Sequence, residues 1–165
     1  MATHIVFSHG KESGPRGSKI KSMAEHTKKY AEIHSVDYQD LISPDDRVER
    51  LVKHLESLNG DIVLVGSSMG GYVSAVASSQ VNVAGLMLLA PAFYLDGYSI
   101  QDPITPCKHV SIVHGWGDEV VAYENSVRFG LQHNAELKLV NDGHRLANSQ
   151  MLLNTELVAL LAKVS

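Results

Sequence analysis

The stretch that decides the reading of this chain is Asp61-Ile62-Val63-Leu64-Val65-Gly66-Ser67-Ser68-Met69-Gly70-Gly71-Tyr72. Four consecutive apolar residues, Ile62 to Val65, all of them β- or γ-branched, run straight into a turn rich in Gly and Ser. A short apolar run without polar alternation reads as a strand buried on both faces, which is the signature of a parallel sheet. The small and apolar residues 71–79 that follow have helical character, so the glycine-flanked Ser68 stands on a sharp strand-to-helix turn.

Outward from this point the same rhythm repeats. Runs of about five residues at 3–7, 32–36, 84–89, 110–114 and 136–140 are bounded by Gly, Asn, Asp or Pro and read as five further strands. Ser43-Pro44-Asp45-Asp46 has the form of a helix N-cap, with proline at the first helical position and acids in the first turn. Behind it Val48, Leu51, Val52, Leu55 and Leu58 share one face. A last helix over about 146–164 carries Leu153, Leu157, Leu160, Leu161 and Val164 on a stripe. Alternating strands and helices imply an α/β protein: a three-layer α/β/α sandwich around a six-stranded parallel sheet.

The 165 residues supply one core, so a single domain over 1–165 is expected. With 14 basic against 18 acidic residues there is no basic excess, and the densest cluster, Lys11 to Lys29, is interrupted by Glu12 and Glu25, so no nucleic-acid partner is expected. The single Cys107 excludes an intrachain disulfide and points to the cytoplasm. The opening MATHIVFSHG lacks a signal-peptide pattern. The longest near-apolar stretch, Val83 to Phe93, is 11 residues with Gly and Pro inside, so no stable membrane insertion is expected.

In an open parallel sheet, ligands bind beyond the carboxyl ends of the strands. Those ends read Ser8-His9-Gly10-Lys11, Gly66-Ser67-Ser68-Met69-Gly70, Ala90-Pro91, Gly115-Trp116-Gly117-Asp118 and Asn141-Asp142-Gly143-His144. Gly66 to Gly70 has the GxSxG form of a nucleophile elbow. The only Gly-Lys pair, Gly10-Lys11, lacks the upstream glycine of a phosphate loop, and no GxGxxG follows a strand, so no cofactor is expected. Serine needs a base, and that base an orienting acid. His144, between the last strand and the last helix, is the expected base. Asp118 is the leading acid, with Asp142 as the alternative, whose other reading is a turn cap. His9 and His114 also stand at strand ends, but with no acid or cysteine at ligand spacing they are not expected to hold a metal. An oxyanion hole is expected from the backbone N–H groups of Met69 and Lys11. The Lys11 side chain is either solvated or a contact for anionic substrates.

Taken together, Ser8-His9-Gly10, Val65 to Tyr72, His114 to Val121 and Gly143-His144-Arg145-Leu146 resemble a minimal, lidless α/β-hydrolase-fold serine hydrolase of the esterase and thioesterase kind. The resemblance runs end to end. It implies hydrolysis of carboxylic esters or thioesters of a small-molecule or acylated substrate through an acyl-enzyme, by a triad of Ser68, Asp118 and His144. An inert binding module and an amide or C–C bond hydrolase are the alternatives. It also implies a truncated fold without the usual first two strands, hence strand order 2-1-3-4-5-6, and without a separate cap domain. In place of the cap, the linker 91–108 carries Phe93, Tyr94 and Tyr98. These aromatics either fasten the linker to the core or wall an acyl pocket with Trp116 and Tyr72.

Overall fold

The computed structural model describes residues 2–165. Along the chain the elements are β1 (Thr3–Ser8), α1 (Ser18–Thr27), β2 (Glu32–Val36), α2 (Pro44–Glu56), β3 (Asp61–Ser67), α3 (Met69–Ser78), β4 (Gly85–Leu89), β5 (Val110–Gly115), α4 (Tyr123–His133), β6 (Glu136–Val140) and α5 (Gln150–Val164). The strands form one six-stranded sheet in the order β2-β1-β3-β4-β5-β6, and every neighbouring pair is parallel.

The apolar runs are continuous because both faces of the sheet are covered. Successive side chains point to opposite faces, and the core divides accordingly. Val6, Ile62, Leu64, Leu86, Leu88 and Ile112 pack under α2, α3 and α4. The intervening Ile5, Phe7, Val63, Val65, Met87, Leu89 and Val113 pack under α1 and α5, chiefly against Met23, Leu153, Leu157 and Leu160. Every residue of α3 is buried, which explains why its sequence has no polar face.

One helix start agrees with the sequence reading and one differs from it. Ser43 occupies the N-cap position of α2 with Pro44 behind it, but its side chain makes no capping hydrogen bond; its carbonyl accepts from Arg47 N–H instead (3.2 Å). Helix α5 begins at Gln150 rather than near Leu146. Leu146 is fully buried with a left-handed φ of 52°, a conformation no α-helix contains. Asp142 Oδ2 accepts from Asn148 N–H (2.8 Å) and the Ser149 hydroxyl (2.7 Å), holding those residues as a loop.

Residues 90–109, between β4 and β5, contain neither helix nor strand. They are tied down by Phe93, which stacks on Phe129 of α4 (ring centroids 4.3 Å apart), and by Tyr98, which meets Tyr72 of α3 edge-on (4.8 Å). No helix among the described residues is long and apolar enough to cross a membrane.

The two core layers set the cost of substitutions. Leu64→Ala, at a fully buried central position, lowers unfolding free energy by about 2–5 kcal/mol. Leu131→Ala, 81% exposed on α4, changes it by less than about 0.5 kcal/mol. Urea denaturation of both variants measures the difference.

Candidate active site

Ser68 links β3 to α3 at φ 55° and ψ −118°, backbone space that a residue with a side chain rarely occupies. Such a conformation costs about 1–3 kcal/mol and must be held by its surroundings. Here Ser68 N–H donates to Leu89 O (2.9 Å), while Ser68 O accepts from Gly71 N–H (2.9 Å) and Ala92 N–H (3.0 Å). The glycines are sterically required. A Cβ on Gly66 would stand 2.1 Å from Gly70 O, and one on Gly70 would stand 2.0 Å from Ser8 O.

The turn aims the Ser68 hydroxyl at His144, whose Nε2 lies 2.9 Å from Ser68 Oγ. His144 Nδ1 lies 2.7 Å from Asp118 Oδ2. Because a carboxylate only accepts, Nδ1 carries the proton and Nε2 is left to receive one from Ser68. The Asp118 side chain is fully enclosed. Burial alone would raise its pKa, but the Val121 and Val120 amides, both 2.8 Å from Oδ1, and the bond to His144 outweigh it and leave it below the usual carboxylate value. Asp118 therefore stays ionised beside the imidazole.

Asp142 takes the turn-cap role. Its carboxylate accepts from Gly143, Asn148 and Ser149 and shapes the loop that presents His144. Its carbonyl accepts from Gly117 N–H (3.0 Å), stitching the Asp118 loop to the His144 loop. Lys19 Nζ also donates to Arg145 O (2.9 Å).

Gly10 lies against the elbow: a Cβ there would be 3.6 Å from Ser68 Cβ. Gly10 O accepts from His9 Nδ1–H (2.8 Å) and from Arg47 Nη1 (3.1 Å). In a trans peptide the N–H of the next residue points opposite to the carbonyl. Anchoring Gly10 O inward thus turns Lys11 N–H outward, and that amide has no acceptor among the described residues. Met69 N–H, at the first turn of α3, is likewise without one.

Sequence reasoning missed the residues that hold these loops. Arg47 is 2% exposed and spends its guanidinium on three carbonyls, Leu41 (3.0 Å), Gly10 (3.1 Å) and Lys11 (3.3 Å). Its signal was available: 47, 51 and 55 share a helix face, so a charge sat on the apolar stripe of Leu51 and Leu55. His9 is a brace of the same loop. Its Nε2 accepts from Tyr38 N–H (2.9 Å) while Nδ1–H serves Gly10 O, an arrangement only the neutral ring can make. His114 does the same for the acid loop. Nε2–H donates to Val121 O (2.9 Å) and lies 3.0 Å from Asp118 Oδ2, while Nδ1 accepts from the Ser126 hydroxyl (2.6 Å).

Of the five expected pocket residues, Phe93 and Tyr72 are completely enclosed and present no surface to a ligand. They fasten the linker, as does Tyr72 Oη by accepting from Ile100 N–H (3.1 Å). Tyr94 and Tyr98 are half-buried, and Trp116, on the loop before Asp118, is 54% exposed. The Lys11 side chain is exposed.

Burial lowers the His9 pKa, with the bond to Gly10 working against it and the Arg47 charge reinforcing it. A histidine whose pKa is depressed by folding takes up protons more readily when unfolded, so it costs stability as pH falls below its ordinary value of 6.5. Thermal melting between pH 7 and 5 should fall more steeply in the wild type than in His9→Gln. Arg47→Lys, which cannot serve three carbonyls, should leave buried carbonyls unpaired and lower unfolding free energy by about 1–3 kcal/mol, read by urea denaturation.

No curated protein matches the sequence. Among solved structures, a protein from Xanthomonas campestris pv. campestris assigned to the α/β hydrolase superfamily is 29% identical over 97% of this chain and 98% of its own, with a TM-score of 0.89. Est1E from Butyrivibrio proteoclasticus is 18% identical over 98% of this chain and 89% of its own (TM-score 0.75). The type II thioesterase BorB from the borrelidin biosynthetic cluster is 13% identical over 98% and 92% (TM-score 0.80). The sheet order and these likenesses show the α/β-hydrolase fold. Residues 4–153 match the group described as Uncharacterised protein family (UPF0227), and the chain belongs to that family.

Proposed function

We propose that the protein is a serine hydrolase that cleaves carboxylic esters or thioesters through an acyl-enzyme. The observation that carries this reading is the continuous relay from Ser68 Oγ to His144 Nε2 (2.9 Å) and from His144 Nδ1 to Asp118 Oδ2 (2.7 Å), set on a strained elbow.

Ser68 Oγ attacks the acyl carbon as its proton passes to His144 Nε2. The ionised Asp118 stabilises the imidazolium and holds the ring in place. The oxyanion that forms faces the two spare amides, Lys11 N–H and Met69 N–H, each worth about 3 kcal/mol in the transition state. As the tetrahedral species collapses, the carbon–oxygen or carbon–sulfur bond breaks and His144 returns the proton to the leaving alcohol or thiol. Water, deprotonated by His144, then attacks the acyl-serine, and as the acyl–Oγ bond breaks His144 returns that proton to Ser68 Oγ and the acid leaves.

The exposed Trp116 and half-buried Tyr94 and Tyr98 are the surfaces left for the acyl group. With the linker fastened down through Phe93 and Tyr98, the site favours short or bulky open acyl groups over long chains. The free, buried Cys107 fits a reducing compartment, and we assign the protein to the cytoplasm.

A fluorophosphonate should label the wild type at Ser68 and leave Ser68→Ala unlabelled; labelling that survives in Ser68→Ala removes the nucleophile assignment. Hydrolysis of p-nitrophenyl esters should fall by about 10⁴-fold in Asp118→Asn and by much less in Asp142→Asn, with the reverse order reassigning the acid. Rates that climb steadily past about C8 would contradict an open acyl site.

A further inference from the structure

A second cluster of chemically capable side chains lies toward the amino end of the sheet. The β1–β2 register places His4 directly beside Glu32, and His34 follows two residues later on the same side of β2. His4 pairs with Ile62, six residues before Ser68, so His4 stands about 20 Å along the sheet from the elbow.

Three features of the cluster match a metal centre. First, His4 Nδ1 is 3.0 Å from His34 Nε2 and 3.5 Å from Glu32 Oε2, and the three ligand atoms lie within 4.8 Å of one another. Zinc–nitrogen bonds of about 2.0–2.1 Å set tetrahedral ligands about 3.3–3.4 Å apart. Second, His4 Nε2–H donates to Asn59 O (2.8 Å). A carbonyl only accepts, so this bond fixes the tautomer and leaves the Nδ1 lone pair free toward the other two groups, the outer support that metal-bound histidines typically have. Third, His54 of α2 packs edge-on against His34, with ring centroids 5.1 Å apart, and its Nε2 is buried without a hydrogen-bond partner among the described residues, so a polar group stands unused beside the cluster.

We propose that His4 Nδ1, His34 Nε2 and the Glu32 carboxylate bind a zinc ion, with water completing a tetrahedral set. Two imidazoles and one carboxylate suit zinc, whereas magnesium and calcium call for all-oxygen ligands. On binding, the ion replaces the proton that His34 Nε2 otherwise donates to His4, and His34 carries its proton on Nδ1. The ion joins β2, the exposed edge strand, to β1. It is a structural clamp on the edge from which Tyr38 reaches His9, and it takes no part in acyl transfer.

The test is calorimetric titration of zinc chloride into the chelator-treated full chain, paired with the visible absorption of cobalt(II), which reports tetrahedral coordination. Wild type, His144→Ala and His26→Ala should each bind one ion per chain with equal affinity. His34→Ala and the surface change Glu32→Gln should weaken binding by at least about 10–100-fold and lose the cobalt band. Their far-UV circular dichroism should be unchanged, so that a lost site is not mistaken for a lost fold. No saturable binding by the wild type overturns the proposal. So does undiminished binding by both His34→Ala and Glu32→Gln, or binding that disappears only in His144→Ala.

Discussion

The carboxyl edge of the sheet depends on one close approach, that of the β3–α3 turn to the end of β1. The backbone at Gly70 sits so near Ser8 and His9 that a Cβ would stand 2.0 Å from one carbonyl and 2.7 Å from the other. This contact brings the Ser68 elbow against the loop at Gly10, where a Cβ would stand 3.6 Å from Ser68 Cβ. The strain at Ser68 is sustained by bonds to Leu89 and Ala92 at the end of β4. Other left-handed residues, Ala90, Tyr94 and Leu146, lie in the loops around the same edge. Backbone strain concentrated where loops must converge is what a preorganised site requires.

Around that contact, three buried polar side chains hold the loops. Arg47 is a buried cation compensated by carbonyl dipoles, with the Tyr38 ring 5.5 Å from its guanidinium. His9 and His114 each engage both ring nitrogens and so fix one loop peptide each; His9, whose Nε2 accepts from a backbone N–H, does so only as the neutral ring. The relay histidine is different in kind. Only its Nδ1 is committed, to Asp118, and its other nitrogen faces the serine.

Much of this was legible in the sequence, for identifiable reasons. The strands were readable because burial on both faces leaves unbroken apolar runs, and the six runs fall within a residue or two of β1 to β6. Ser68, Asp118 and His144 were nameable because each follows a strand in a parallel sheet, where ends converge. What escaped were roles set by tertiary contact. Nothing local distinguishes His9 and His114, as braces, from His144. The start of α5 was misplaced because Asp142, eight residues upstream, decides it. Phe93 was read two ways because an aromatic linker looks the same whether it faces a ligand or the core, and the packing of Phe93 on Phe129 chooses the core. The pairing of His4 with Glu32 depends on strand register, which sequence spacing does not reveal.

The most direct measurement is a crystal structure of the protein after reaction with a short-chain alkyl fluorophosphonate. The adduct should show a phosphorus–oxygen bond to Ser68, with the phosphonyl oxygen about 2.7–3.1 Å from both Lys11 N and Met69 N, and His144 still bonded to Asp118. An adduct on any other residue, or a phosphonyl oxygen turned away from both amides, would contradict these assignments.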